Sequence, residues 1–206
     1  MNHTRKSWRP AGLVSLILLC AAHIPLRSEE IQVGTYVPVF QVQNLRGKDQ
    51  AIRPGGGRVT AVLFFSTRCP LSNAFNYRRN VLYHDFHTRV RFLLVDPNAN
   101  ESLAEVQAYA KQTGFDLPVY RDPGGKVAAL LAVRATTDTF VVDRAGVLRY
   151  RGNVENAPNP ARSTQHGLRS AIEAVLTGQP IKDPETRAIG CAVRRLRPVI
   201  QSAVAH

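Results

Sequence analysis

Val59-Thr-Ala-Val-Leu-Phe-Phe-Ser-Thr-Arg-Cys69-Pro70-Leu-Ser72-Asn73 is the stretch that decides how this chain is read. From Val59 to Phe65 it is apolar, β-branched and aromatic, the composition of a buried strand. It then stops at a cysteine followed by proline. Proline suits the first position of a helix, where its missing N–H would have no partner anyway. Cys69 is thereby placed at a helix cap, with its sulfur beside free N–H groups and the positive end of the helix dipole. Such a site favours a thiolate, the reactive form, and the fixed charge of Arg68 favours it further. The competing reading is a buried, inert thiol, because free cysteine is among the most buried residue types.

Working outward, the pattern predicts a helix from about Pro70 to His87 with Leu71, Phe75, Leu82 and Phe86 on one face. Val90–Asp96 reads as a second buried strand. Ser102 and Glu105 have capping-box spacing for a helix that ends near Thr113, with Gly114 as its C-cap. Leu117–Tyr120 reads as a short strand, Asp122-Pro-Gly-Gly125 as a turn and Lys126–Val133 as a short helix. Thr139–Asp143 and Val147–Arg151 form a hairpin, and a last helix runs from about Ser163 to Thr177 with Leu168, Ile172, Val175 and Leu176 inward. Residues 31–52 are short extended pieces around a turn at Arg46-Gly47-Lys48. Pro54-Gly-Gly-Gly57 lacks the lysine ending of a phosphate-binding loop and is a turn. This order of elements predicts an α/β sandwich with helices on both faces.

The chain has 206 residues, a formal charge of +12 and 44% hydrophobic residues, which is enough for one domain with a full core. Its basic residues are scattered and match no nucleic-acid-binding motif, so a solvated basic surface is expected and no nucleic acid partner. Arg5, Lys6 and Arg9 precede the apolar run Ala11–Ala22, whose 12 residues fall short of the roughly 20 that span a bilayer. This is the pattern of a secretory signal over residues 1–22. Cleavage after Ala22 would remove Cys20 and lower the charge from +12 to +9. The expected product is exported, periplasmic or secreted, with membrane contact only through the signal.

Two cysteines, Cys69 and Cys191, would then remain, and an oxidising compartment permits one disulfide. Cys191 lies on a Pro- and Arg-containing tail, Gln179–His206, that follows a domain at about 31–178. The 13 residues from Gly178 to Cys191 can extend to at most about 45 Å, ample for a domain with a radius of gyration near 15 Å. Cys191 as resolving partner, as half of a permanent staple, or as an unpaired thiol all stay open.

Phe64-Phe-Ser-Thr-Arg-Cys-Pro70, Tyr120-Arg-Asp-Pro123 and Thr139–Gly152 resemble, in order and spacing, the thioredoxin-like superfamily. The similarity is to exported redoxin proteins of the alkyl hydroperoxide reductase/thiol-specific antioxidant type and covers about residues 34–193. Pro184–Cys191 resembles the tail of a subgroup with a Cys-Pro-x-Ser-Asn site. The resemblance implies a three-layer α/β/α sandwich around a central mixed sheet, with Cys69 as nucleophile and Cys191 as candidate resolving residue. Ser66, Thr67 and Ser72 would donate hydrogen bonds near the sulfur. Pro70 and the Ala135–Asp138 loop, with Thr136 and Thr137, would face substrate.

Departures from the family pattern carry as much weight. Ser72 stands where a dithiol site has its second cysteine, and a serine cannot resolve a mixed disulfide. Leu63 stands where the family has a buried acid. Thr137 replaces the loop proline, and a cis bond before threonine would cost about 3 kcal/mol, so that peptide is expected trans.

Three functions follow as alternatives. In the first, the chain is a thiol-disulfide oxidoreductase acting on protein or small-molecule thiols and disulfides, with an external reductant. In the second it is a peroxidase that reduces hydroperoxides through a sulfenic acid at Cys69, with Ser66 as the hydroxyl and Arg134 or Arg149 as the arginine. In the third it is a non-catalytic binding module with a structural Cys69–Cys191 bond. No cofactor and no metal are expected. His84 and His87 lack ligand partners in sequence, and Asp96, Asp122 and Asp143 read as turn and cap residues.

Overall fold

The computed structural model describes residues 30–195; the expected signal at 1–22 and residues 196–206 of the tail lie outside them. The central sheet is built from β1 (Phe40–Asn44), β2 (Asp49–Ile52), β3 (Val59–Phe64), β4 (Val90–Asp96), β5 (Val119–Arg121), β6 (Thr139–Val142) and β7 (Leu148–Gly152). Their order is β2-β1-β5-β4-β3-β6-β7. The β3–β4 and β4–β5 pairs are parallel and the others antiparallel, so the sheet is mixed. β3 lies in its interior beside the central β4, paired Leu63 to Leu94 on one side and to Thr139 on the other, with all six of its residues buried.

Because side chains alternate along a strand, β3 feeds two cores. Val59, Ala61 and Leu63 face α2 (Asn76–Phe86), α3 (Leu103–Thr113) and α5 (Gly167–Thr177). Val62 and Phe64 face the opposite layer, where α4 (Lys126–Leu130) packs with Ile31 and Val37. The predicted α/β sandwich with helices on both faces of a mixed sheet is the observed architecture. Leu63, in the position of the missing acid, is a core residue.

Several local expectations change. The helix predicted over 70–87 is two: α1 (Pro70–Asn73) is a single turn, and α2 starts at Asn76. Two arginines stabilise the break by taking freed carbonyls. Nη1 of Arg79 donates to the Ser72 carbonyl at 2.9 Å, and Nη2 of Arg78 donates to that of Ala74 at 2.7 Å. The break turns Leu71 outward, 39% exposed, while Phe75, Leu82 and Phe86 stay buried. α5 begins at Gly167 rather than Ser163, after a 3-10 turn at Pro160–Arg162, and its Val175 and Leu176 are only partly buried. The extended pieces at 31–52 include the β1–β2 hairpin, which joins the sheet through β5.

The tail folds back on the domain. Arg151 of β7 donates its amide to Pro184 and accepts from the Thr186 amide, both at 3.0 Å. The Thr186 hydroxyl meets that of Tyr150 at 2.7 Å. Further on, Ala192 pairs with Ala135 as an antiparallel bridge.

Candidate active site

The strand-to-helix turn after β3 places Cys69 at the N-cap of α1, with φ −93° and ψ 110°. Its Sγ accepts the Ser72 amide at 3.4 Å, and Pro70 occupies the first helical turn, as the sequence predicted. The dipole argument weakens, because α1 is one turn long and contributes only its local N–H groups.

Cys69 and Cys191 are joined by a disulfide with a Cα–Cα separation of 6.0 Å, within the usual range for such a bond. The Cys191 amide also donates to Cys69 Sγ at 3.3 Å. The Cys191 carbonyl accepts the Thr136 amide at 2.9 Å. Thr136 and Thr137 thus lie against the tail, with both hydroxyls buried and without partners among the described residues. All peptide bonds among the described residues are trans, the one before Thr137 included.

Three expected donors to the sulfur serve elsewhere. The hydroxyls of Ser66 and Thr67 donate to the two carboxylate oxygens of Glu101, at 2.5 and 2.6 Å, and the Thr67 amide donates at 2.7 Å. Glu101 is 2% exposed, and this bonding leaves neither hydroxyl aimed at Cys69. Ser72 offers its amide to the sulfur. Its hydroxyl oxygen instead accepts from the Ser66 amide at 3.2 Å and from the Arg79 guanidinium at 3.3 Å. Arg68 also departs from expectation. Its guanidinium pairs with Glu105, both groups largely in solvent, and Glu105 is held down to about 2 by the Ser102 amide and by Arg68. The Arg68 charge is thus matched by a carboxylate.

Two buried acidic groups, Asp96 and Glu101, sit at the end of β4 and in the loop after it. Asp96 ends β4 and is 1% exposed. Its Oδ1 accepts the Asn98 amide at 2.9 Å, as a turn residue should, but Oδ2 has no partner among the described residues. Burial, then the Glu101 charge, pushes Asp96 up to about 7. Arg79 is a functional candidate that the sequence pattern does not single out. It is fully buried, donates to the Phe64 carbonyl at 2.8 Å and has no carboxylate partner among the described residues. Burial pulls it down to about 9. The only sequence signal for either group is a charged residue inside or ending an apolar pattern.

Cys69 and Cys191 open together on a cleft of about 260 Å³ rimmed by Arg68, Asn98, Glu101 and Arg194. Arg149 is engaged by Asp143 at 2.6 Å and lines a different cleft, beside Val33 and Val175. Arg134 lines a cleft under the tail with Arg151 and Gly190. Neither arginine is among the residues lining the cysteine cleft. His84 meets Asp116 at 2.8 Å on the surface.

Comparison with known proteins agrees with this architecture. A thiol-disulfide oxidoreductase ResA from Bacillus thuringiensis is 26% identical over 143 residues, covering 65% of this chain and 81% of the relative. Among solved structures, a hypothetical protein from Sinorhizobium meliloti superposes with a TM-score of 0.73 at 24% identity, covering 82% of this chain and 97% of the other. A putative thiol:disulfide interchange protein DsbE from Chlorobium tepidum superposes at 0.61 and 20% identity, covering 71% and 99%. These likenesses establish the fold as thioredoxin-like. The sequence pattern of the AhpC/TSA family matches residues 33–151, more than half of the chain, and the chain belongs to that family.

Proposed function

We propose that the protein is an exported thiol-disulfide oxidoreductase whose redox centre is the Cys69–Cys191 pair. The observation that carries this reading is the setting of the disulfide. One of its sulfurs caps a helix and accepts two backbone N–H groups, and both cysteines border an open cleft. When the bond is reduced, those N–H groups stabilise negative charge on Cys69. Cys191 thus supplies the second sulfur that Ser72 cannot. The ResA relative, named as a thiol-disulfide oxidoreductase, supports the same class of chemistry.

The substrates are proposed to be protein thiols or disulfides, with an external thiol system as redox partner. Leu71 and Ile189, each two residues from a cysteine and each exposed, give an apolar flank that suits a polypeptide better than a peroxide. Export accords with the signal-like pattern at 1–22 and with a disulfide that an oxidising compartment would preserve. Among the described residues no helix is long and apolar enough to cross a membrane.

The test is to reduce the purified protein and follow its reduction of a protein disulfide, with Cys69→Ser and Cys191→Ser as controls. Turnover lost in both variants is the expected result. Turnover with hydrogen peroxide but not with the disulfide would favour the peroxidase instead. One observation favours a staple: the tail is hydrogen-bonded to the domain on both sides of Cys191. A bond that survives equilibration with glutathione buffers would decide for that reading.

A further inference from the structure

The two sulfurs do not face the outside equally. Cys69 is 2% exposed and Cys191 only partly buried. Behind Cys69 Sγ lies the first turn of α1, where the Ser72 amide donates to the sulfur at 3.4 Å and Ser72 itself is fully buried. Thiol-disulfide exchange is a displacement: the incoming thiolate bonds to one sulfur as the other departs, and the outcome depends on which sulfur can be reached. Cys69 Sγ, packed against that turn and almost without exposed surface, is the harder of the two sulfurs to reach. Cys191 Sγ belongs to a partly exposed tail residue and is the easier one to reach.

Hydrogen bonds hold the tail to the domain on both sides of Cys191. Before Cys191, the Thr186 amide donates to Arg151 at 3.0 Å. After it, the Arg194 amide donates to Asn98 Oδ1 at 3.0 Å, and the Ala99 amide to the Arg194 carbonyl at 2.8 Å. A reduced Cys191 is therefore held beside Cys69 at high effective concentration.

Building on the oxidoreductase reading, we infer that Cys191 is the sulfur that exchanges with outside partners, and that Cys69 is the internal leaving and resolving thiolate. This reverses the roles that the resemblance implies. In the oxidised protein, a partner thiolate attacks Cys191 Sγ. A partner–Cys191 disulfide forms, the Cys69–Cys191 bond breaks, and its electron pair passes to Cys69 Sγ. There the Ser72 and Cys191 amides receive the charge. A second partner thiolate then attacks the partner's sulfur in the mixed disulfide. The partner leaves oxidised by two electrons, and Cys191 departs as a thiolate. In the opposite direction Cys191 attacks a substrate disulfide and Cys69 closes the ring. The charged groups facing this path are Arg194 on the tail, Arg68 with its partner Glu105, and Glu101 from the loop after β4.

The experiment treats the oxidised full chain with a small amount of reduced glutathione, quenches it with acid and maps the adduct by peptide mass spectrometry. The expected adduct is on Cys191, in at least about tenfold excess over Cys69. An adduct mainly on Cys69 overturns the order of exchange but leaves the oxidoreductase reading standing. No adduct and no reduction, even with excess dithiothreitol, sinks the oxidoreductase reading and this inference with it. As a second measurement, Cys69→Ala and Cys191→Ala are each mixed with 5,5′-dithiobis(2-nitrobenzoate), while hydrogen exchange at the Thr186 amide reports that the tail is seated. The Cys191 thiol is expected to react faster than the Cys69 thiol, and the opposite order overturns the inference.

Discussion

Gly190 lies so close to Thr137 that a β-carbon on it would sit 2.7 Å from the Thr137 hydroxyl oxygen and 3.2 Å from the Thr137 amide. The residue before Cys191 must therefore be small for the tail to seat. Gly190→Ala is expected to lift the tail from the Ala135–Thr137 loop, at the roughly 1–3 kcal/mol typical of overpacking. Loss of amide protection at Thr136, which donates to Cys191, and faster reduction by dithiothreitol are the readouts. Unchanged protection and reduction would mean that Thr137 yields instead.

Glu101 fixes the turn that delivers Cys69 by accepting from the Ser66 hydroxyl and from both the amide and the hydroxyl of Thr67. In Glu101→Gln one oxygen becomes a donor facing donors. The expected loss is about 1–3 kcal/mol of stability, the cost of a buried group left without a partner. Urea denaturation measures it, and a stability equal to wild type would contradict the assigned bonds.

Asp96 makes stability depend on pH with a definite sign. Its carboxyl titrates at 3.8 when unperturbed and at about 7 in the fold. Between those values the folded chain keeps a proton that the unfolded chain has lost, so stability falls as pH rises through the window. The loss is complete above about pH 7 and absent below about pH 4. Asp96→Asn mimics the protonated form and retains the oxygen that accepts from Asn98. It is expected to match wild type near pH 4 and to exceed it in denaturation midpoint at pH 8. A constant gap across that range would show that Asp96 does not carry the slope.

Arg79 is a buried cation with no carboxylate partner among the described residues, and it donates to the carbonyls of Phe64 and Ser72. Arg79→Met removes the guanidinium donors from the Phe64 and Ser72 carbonyls, leaving Ser72 the Phe75 amide, and is expected to cost about 3–5 kcal/mol, as is typical when a buried charged network is broken. Arg79→Lys restores charge but not the fork of donors, so it should recover only part of the stability. The charge also lies behind Ser72, whose amide contacts Cys69 Sγ. In the reduced protein, the alkylation profile of Cys69 is therefore expected to move to higher pH in the methionine variant and less so in the lysine variant. Equal profiles in both variants would assign Arg79 a purely structural role.

The sheet and most helices were legible because their signals are local. Val59–Phe65 and Val90–Asp96 carry the apolar runs of buried strands, and Ser102 with Glu105 forms the capping box that its spacing announces. The break after Asn73 was not legible, since side chains of Arg78 and Arg79 further along the chain stabilise it. Nor was the role of Glu101, whose partners Ser66 and Thr67 lie 35 and 34 residues away in sequence. The hydroxyls of Ser66, Thr67 and Ser72 were expected to donate toward the sulfur, and they bond instead to Glu101 or accept from Ser66 and Arg79. What they bond to depends on β3 and β4 running in parallel and bringing two loops to one end of the sheet.

β7 is the last strand of the sheet, and a bare edge strand invites pairing with another chain. Arg151 is instead bridged in parallel to Glu185, so that residues 184–186 cover part of that edge. The segment that brings Cys191 to Cys69 thus also occupies backbone groups that would otherwise be open to another chain. A chain cut after Gly178 would lose its second sulfur and bare the Arg151 backbone together, and insolubility would accompany the loss of redox chemistry.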